Sequence, residues 1–166
     1  MKIDISALLS GAKQSIDFDY ALDCGESPDG VTFTDAARVR GSITDMSGYM
    51  ALSLSAEVPY TTECARCLEP VAGVFRADFT RTVAMPGVLT DGDDSDEYVI
   101  AENNAVDVDI PLTEQILFDF PSKILCKDDC KGLCPKCGKN LNLGKCSCPE
   151  REPDPRLAKL AELLKD

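Results

Sequence analysis

Nine cysteines stand in a chain of 166 residues, and eight of them fall in tight groups. The groups are Cys64-Ala65-Arg66-Cys67, Cys126-Lys127-Asp128-Asp129-Cys130, Cys134-Pro135-Lys136-Cys137-Gly138 and Cys146-Ser147-Cys148. Thiolates at such spacings are metal ligands. Zinc takes four of them in a tetrahedron at about 2.3 Å, and a CxxC turn brings two sulfurs onto one ion. The residue after the second cysteine of that turn often needs a left-handed backbone, so that amide N–H groups can point at sulfur. Gly138 adopts it at little cost. A disulfide framework is the poorer reading. The odd count leaves one thiol over, and Asp4 and Ser6 interrupt any apolar signal core at the N-terminus.

The spacing alone leaves the partition open. Cys134, Cys137, Cys146 and Cys148 are close enough to close a small ribbon by themselves, which leaves Cys64, Cys67, Cys126 and Cys130 for a second site. The CxC pair is the weak point, because i and i+2 in an extended strand lie too far apart for one ion unless the chain bends. Two four-cysteine zinc sites are the first arrangement. One zinc with the other thiols free is a second, and an iron–sulfur centre, which also uses four cysteines, is the main rival chemistry. Cys24, alone in Asp23-Cys24-Gly25, reads as an ordinary thiol.

Other chemistries are poorly provided for. The chain has no histidine, which removes Ser–His and Cys–His nucleophiles and mixed Cys/His zinc sites. It has no tryptophan and few other aromatics, so platforms for stacking bases are thin. No phosphate loop, nucleophile elbow or dinucleotide fingerprint is present. A closed four-cysteine site has no position for water or substrate, so it holds a fold together and does not by itself make an enzyme. A thiol redox protein using Cys64 and Cys67 ranks last. Arg66 could lower a thiol pKa there, but the pair lacks the βαβ setting of that motif.

The elements that must position these cysteines are mostly strands. Ile16, Phe18 and Tyr20 alternate. From Met50 to Val58 the apolar residues Met50, Leu52, Leu54, Ala56 and Val58 face one way and Ser53, Ser55 and Glu57 the other, which is the period of a half-buried strand. Val71, Phe75, Ala77, Phe79 and Val83 repeat the pattern. Ser47-Gly48 and Ala72-Gly73 offer bend or bulge positions. Residues 86–109 carry eight acids and no lysine or arginine: Asp91, Asp93, Asp94, Asp96, Glu97, Glu102, Asp107 and Asp109. That run reads as a solvated loop, or more sharply as a docking surface for a basic partner. Residues 110–121 form a short helix, with Pro111 in its first turn and Pro121 stopping it. Residues 154–165 form an amphipathic helix with Leu157, Leu160, Ala161 and Leu164 on one face.

The expected fold is therefore α+β. An antiparallel β-meander or partly closed barrel-like sheet carries a few short helices and a C-terminal Cys-rich zinc-ribbon segment. The divisions are 1–125 for the β domain, with the acidic loop 86–109 and helix 110–121, then 126–150 for the Cys-rich segment and 151–166 for the last helix. At 44% hydrophobic and 28% charged the chain can bury a core, and its net charge of −12 argues against a broad basic groove for nucleic acid. No stretch is long and apolar enough to span a bilayer. The expectation is a soluble, cytoplasmic protein with no membrane association and no small-molecule substrate.

Several pieces resemble the YceD family, named for large-ribosomal-RNA-subunit accumulation. They are Cys64-Ala65-Arg66-Cys67-Leu68-Glu69-Pro70, Ile110-Pro111-Leu112-Thr113-Glu114-Gln115-Ile116, Gly132-Leu133-Cys134-Pro135-Lys136-Cys137-Gly138-Lys139-Asn140-Leu141-Asn142, Cys146-Ser147-Cys148 and Asp154-Pro155-Arg156-Leu157, in family order over about residues 60–160. Some members keep the first cysteine pair and lack the ribbon cysteines, which fits a first site on Cys64, Cys67, Cys126 and Cys130 and an optional second on the ribbon. The resemblance implies a cytoplasmic, non-enzymatic factor for 23S ribosomal RNA levels or processing and large-subunit assembly, and it names no catalytic residue. Its partner would be a large-subunit rRNA precursor, met by Arg66, Lys127, Lys131, Lys136, Lys139 and Lys145, or a basic ribosomal protein, met by the acidic run. For the lysines, compensation of thiolate charge is an equal reading. The alternative to a ribosomal role is a zinc-ribbon interaction adaptor unrelated to ribosomes.

Overall fold

A computed structural model describes residues 1–47, 49–88 and 97–149. The chain runs through β1 (Lys2–Asp4), α1 (Ser6–Leu9), β2 (Ser15–Leu22), β3 (Val31–Phe33), β4 (Ala37–Asp45), β5 (Met50–Glu63), β6 (Pro70–Ala84), β7 (Tyr98–Glu102), β8 (Ala105–Asp107) and α2 (Asp109–Asp119). The strands form one sheet in the order β1-β8-β7-β6-β5-β4-β2, with β3 also paired to β5. The sheet curls into a half-barrel with few short helices. A bond from the edge strand β2 to the first turn of α2, Tyr20 Oη–H to Asp109 Oδ1 at 2.7 Å, ties its two ends together.

The alternation in the sequence sets the faces. In β5, Leu52, Leu54, Ala56 and Val58 are buried while Ser53, Ser55 and Glu57 face out. Leu112 and Ile116 of α2 join the same core, with Ile5, Val39, Ile43, Val106 and Val108. Fully burying side chains of this size contributes about 1.5–3 kcal/mol each, which is what holds so short a helix to the sheet. The outer face is polar and includes the Arg76–Glu57 ion pair at 3.0 Å.

Three expectations are corrected. The acidic segment 86–109 is not one loop, since Tyr98–Glu102 and Ala105–Asp107 form a hairpin. Asn103 and Asn104 turn it with φ of 51° and 59°, the left-handed pair that a tight hairpin requires. Ala72-Gly73 is no bulge. The β5–β6 register runs unbroken from Met50↔Val83 to Glu63↔Pro70, and Gly73 lies opposite Tyr60, whose ring occupies the space of a side chain. The sheet is also not wholly antiparallel, because β7 lies parallel to β6. The short helix expected at 110–121 is observed as Asp109–Asp119. The acidic residues 91–96, the bend residue Gly48 and the helix expected at 154–165 lie outside the described residues.

Candidate metal centres

The first knuckle is the end of the longest hairpin in the sheet. β5 and β6 stay paired until Glu63↔Pro70, and Cys64–Glu69 is the turn between them. The Cys64 N–H donates to Glu69 O at 2.8 Å, and Leu68 N–H returns to Cys64 O at 3.0 Å. The second knuckle repeats these bonds. Cys134 N–H donates to Lys139 O at 2.9 Å and Gly138 N–H to Cys134 O at 2.8 Å. The residue after the second cysteine is left-handed in both, with φ of 59° at Leu68 and 71° at Gly138. Glycine fits that backbone and leucine is strained by it.

The remaining cysteines of the first cluster, Cys126 and Cys130, lie on the chain that leaves α2. Phe120, just past the helix, meets Phe33 and Tyr60 edge-on at 5.9 and 5.1 Å and lies 5.0 Å from Phe75. That aromatic plug fixes where the chain leaves the sheet. Ala65 N–H then donates to Ile124 O at 2.9 Å, so the chain reaches Cys126 alongside the knuckle.

The structure partitions the eight thiols as two sets of four. Cys64, Cys67, Cys126 and Cys130 form one cluster, and Cys134, Cys137, Cys146 and Cys148 the other. Within each cluster every sulfur lies within 4.8 Å of the others. Observed separations are 3.8 Å for Cys64–Cys130, 3.5 Å for Cys67–Cys126 and 3.4 Å for Cys134–Cys146. A tetrahedron with bonds of about 2.3 Å places its sulfurs about 3.8 Å apart, so each set fits one ion. The chain bends at Ser147 and Cys148, which lets both sulfurs of the CxC pair face one point. Cys24 belongs to neither cluster and is buried in the sheet core.

The first centre is the more enclosed. Cys64, Cys67 and Cys130 are buried and Cys126 is exposed. In the second, Cys134 is buried, Cys146 and Cys148 are partly covered, and Cys137 is exposed. Burial pushes the Cys64 thiol up, but the N–H groups of Arg66, Cys126 and Cys67 outweigh it and bring it down to about 6. The N–H groups of Cys137 and Lys136 bring Cys134 down to about 6 in the same way. Cys126 is pushed up by the Cys67 sulfur beside it, and Cys148 by Cys137. Each cluster thus favours some thiolates and opposes others, a conflict that a cation held between the sulfurs would relieve.

Sequence reasoning missed the residues that support the sulfurs. Asn142 Nδ2–H donates to Cys130 Sγ at 3.3 Å, and it is the first cause of the lowered Cys130 thiol. Asn140 Nδ2–H donates to Glu69 Oε1 at 3.1 Å, and Arg66 Nη1–H to Cys130 O at 2.9 Å. Both asparagines stand inside the Gly132–Asn142 run, but a loop asparagine carries no mark of a sulfur partner. The basic residues expected at a phosphate surface are largely engaged within the ribbon. Lys136 Nζ donates to Pro149 O at 2.8 Å, Lys139 Nζ to Lys145 O at 2.9 Å, and Lys127 lies 3.7 Å from Asp129.

A curled β-sheet bearing two four-thiol knuckle clusters at one end defines the class of protein: a scaffold that presents paired four-cysteine centres. Residues 52–164 match the family described as large ribosomal RNA subunit accumulation protein YceD, and the chain belongs to that family. It is 36% identical over 107 residues to the uncharacterized protein Rv2926c of Mycobacterium tuberculosis (strain H37Rv), covering 64% of this chain and 51% of that protein. It is 27% identical over 169 residues to the uncharacterized protein YlbN of Bacillus subtilis, covering 99% and 97%. A third relative, from Arabidopsis thaliana, is named large ribosomal RNA subunit accumulation protein YCED homolog 1, chloroplastic. It is 32% identical over 62 residues, covering 37% of this chain and 19% of that protein. The matched region spans about half the length of the mycobacterial relatives, and no solved structure matches the chain.

Proposed function

We propose that this protein is a cytoplasmic, non-enzymatic factor that supports 23S rRNA accumulation and large-subunit assembly, and that its two four-cysteine clusters each hold a structural zinc ion. The observation that carries this reading is the family match over residues 52–164, a span that contains all eight clustered cysteines. All-thiolate donors suit zinc, and sulfurs converging within 4.8 Å favour a single ion over a multi-iron cluster, whose sulfide bridges hold its cysteines farther apart. Zinc bound there supplies a cross-link. The chain's own part is to orient the sulfurs with N–H groups and to join the β5–β6 turn to the segment after α2.

The partner contact is with a basic protein of the large-subunit precursor. The net charge of −12 and the engagement of Arg66, Lys127, Lys136 and Lys139 within the ribbon support this over direct rRNA contact. Two measurements test the reading. Elemental analysis of metal-replete, reduced protein should find two zinc ions per chain, and none would refute the metal assignment. Tagged protein should co-sediment with large-subunit precursors at moderate salt, with a basic protein as the cross-linked neighbour. Cross-links to RNA alone would replace the protein partner with an RNA one. Absence from all precursor fractions would favour an interaction adaptor unrelated to ribosomes.

A further inference from the structure

We infer that the two cysteine centres form one cooperative unit: Asn142, carried on the loop that the second centre closes, holds a sulfur of the first, so that metal at either centre strengthens binding at the other. This rests on the metal reading proposed above.

The connectivity makes the coupling physical. Cys134 and Cys137 supply the second centre from one side of the loop, and Cys146 and Cys148 from the other. Asn140 and Asn142 lie between them, so an ion there fixes both ends of the segment that carries them. The segment is flanked by two glycines with positive φ, Gly138 at 71° and Gly144 at 139°, so its own backbone does little to fix where Asn140 and Asn142 stand. Fixed in place, the segment covers the first centre. Leu133 N–H donates to Arg66 O at 3.1 Å and Leu141 N–H to Gly132 O at 2.9 Å, while Asn140 reaches Glu69 beside the first knuckle.

The Asn142 amide is oriented by its other partners. Its Oδ1 accepts from Lys131 N–H at 2.9 Å, and its Nδ2–H groups donate to Asn140 Oδ1 at 2.9 Å and Cys130 Sγ at 3.3 Å. A flipped amide would put oxygen against both the sulfur and the Asn140 oxygen. Asn142 is therefore a positioning residue for Cys130. Such outer partners change metal affinity by about 10–100-fold, and coupling between two binding sites is reciprocal.

Cobalt(II) titration reads the coupling, because tetrathiolate Co2+ has intense thiolate charge-transfer and d–d bands. In the full chain, Asn142→Ala should weaken the overall constant for two Co2+ ions by about 10–100-fold and shift the charge-transfer band to lower energy, as the sulfur loses its donor. In a Cys146→Ser/Cys148→Ser background, which keeps only the first centre, the same change should do little, because the loop no longer holds Asn142 in place. Asn142→Asp keeps the acceptor for Lys131 N–H and the side-chain shape but removes the donor to sulfur. It should weaken the full chain at least as much as alanine, with the sheet signal in circular dichroism intact. An equal effect of Asn142→Ala in both backgrounds, or wild-type affinity in Asn142→Asp, overturns the coupling while the metal reading stands. Absence of tetrathiolate bands in the unmutated chain overturns the metal reading and this inference with it.

Discussion

The two knuckles are matched in backbone but not in sequence, which allows a controlled exchange. Leu68 and Gly138 occupy the same position, at φ of 59° and 71°, each donating its N–H to the carbonyl of the first cysteine of its turn. A side chain in the left-handed region costs about 1–2 kcal/mol, and glycine loses about 0.5–1 kcal/mol more chain entropy on folding. The difference favours glycine by about 0.5–1 kcal/mol. Packing adds little at either place: Leu68 is 58% exposed, and a Cβ on Gly138 would meet nothing within 4 Å. Leu68→Gly should therefore raise the melting temperature of the metal-loaded protein by about 1–4 °C. Gly138→Leu should weaken metal retention at the second centre by about two- to fivefold, read as Co2+ or zinc transfer to a chelator. The reasoning is refuted if Leu68→Gly lowers stability by about 1 kcal/mol or more, which would mean the leucine side chain makes a contact worth more than its strain, or if Gly138→Leu leaves retention unchanged.

Tyr20→Phe should cost about 1–2 kcal/mol at neutral pH, the value of a bond to a carboxylate reduced for partial exposure, measured by urea unfolding. Burial and then the Asp109 bond raise the Tyr20 phenol above its ordinary range, so its contribution is complete below about pH 10 and fades as pH rises further. The variant should show a shallower alkaline loss than the parent, and parallel curves would refute the assignment. Gly73→Ala places a Cβ 2.7 Å from the Tyr60 hydroxyl and 2.9 Å from ring carbon Cζ, so the ring must move against Phe120. A loss of about 1–3 kcal/mol is expected, much of it absent in a Tyr60→Ala background, and strict additivity would show that the two residues do not clash. Cys64→Ser should destabilise the sheet domain, because that centre joins the β5–β6 turn to the segment after α2. Cys148→Ser should leave the sheet signal intact while loosening metal at both centres, and identical global unfolding in the two variants would refute this order.

What the sequence discloses depends on how local each determinant is. The faces of β5 and β6 are legible because their alternation is a property of neighbouring residues. The reading of β5 stops at Val58, five residues before Glu63, because Pro59 and the threonines after Tyr60 interrupt the apolar rhythm. β7 and β8 are short, and the acids around Val99, Ala101 and Val106 outweigh an alternation of only a few positions. The parallel pairing of β6 with β7 leaves no local trace, since it depends on which distant edge is free. The eight clustered cysteines are legible because few other demands place cysteines so close together, whereas the two sets of four are only one of the arrangements that the spacing allows. Asn142 and Leu68 are not legible. One acts through an amide that any loop could carry, and the other holds a glycine conformation with a leucine side chain.

Charge at the cysteine end bears on what the ribbon is for. On sequence grounds its cations read equally as phosphate ligands or as compensation for thiolate charge; in the structure Arg66 bonds to Cys130 O, Lys136 to Pro149 O, Lys139 to Lys145 O, and Lys127 faces Asp129. Lys131 and Lys145 are left with no side-chain bond among the described residues. Two cations unpaired among the described residues neutralise two phosphates, so direct RNA binding through them should show a salt slope no steeper than about −1.4 on a single strand or −1.8 on a duplex. A slope of that size gives weak, easily displaced binding, and the remaining charge of the molecule opposes it. Lys136 and Lys139 do a different job: each satisfies a carbonyl of the loop that carries the second cysteine cluster. Lys139→Ala should therefore lower metal retention at the second centre and leave any RNA affinity nearly unchanged. A steeper salt slope that flattens on removing Lys136 and Lys139 would show that these side chains leave their carbonyls to meet phosphate, and would return RNA to the position of direct partner.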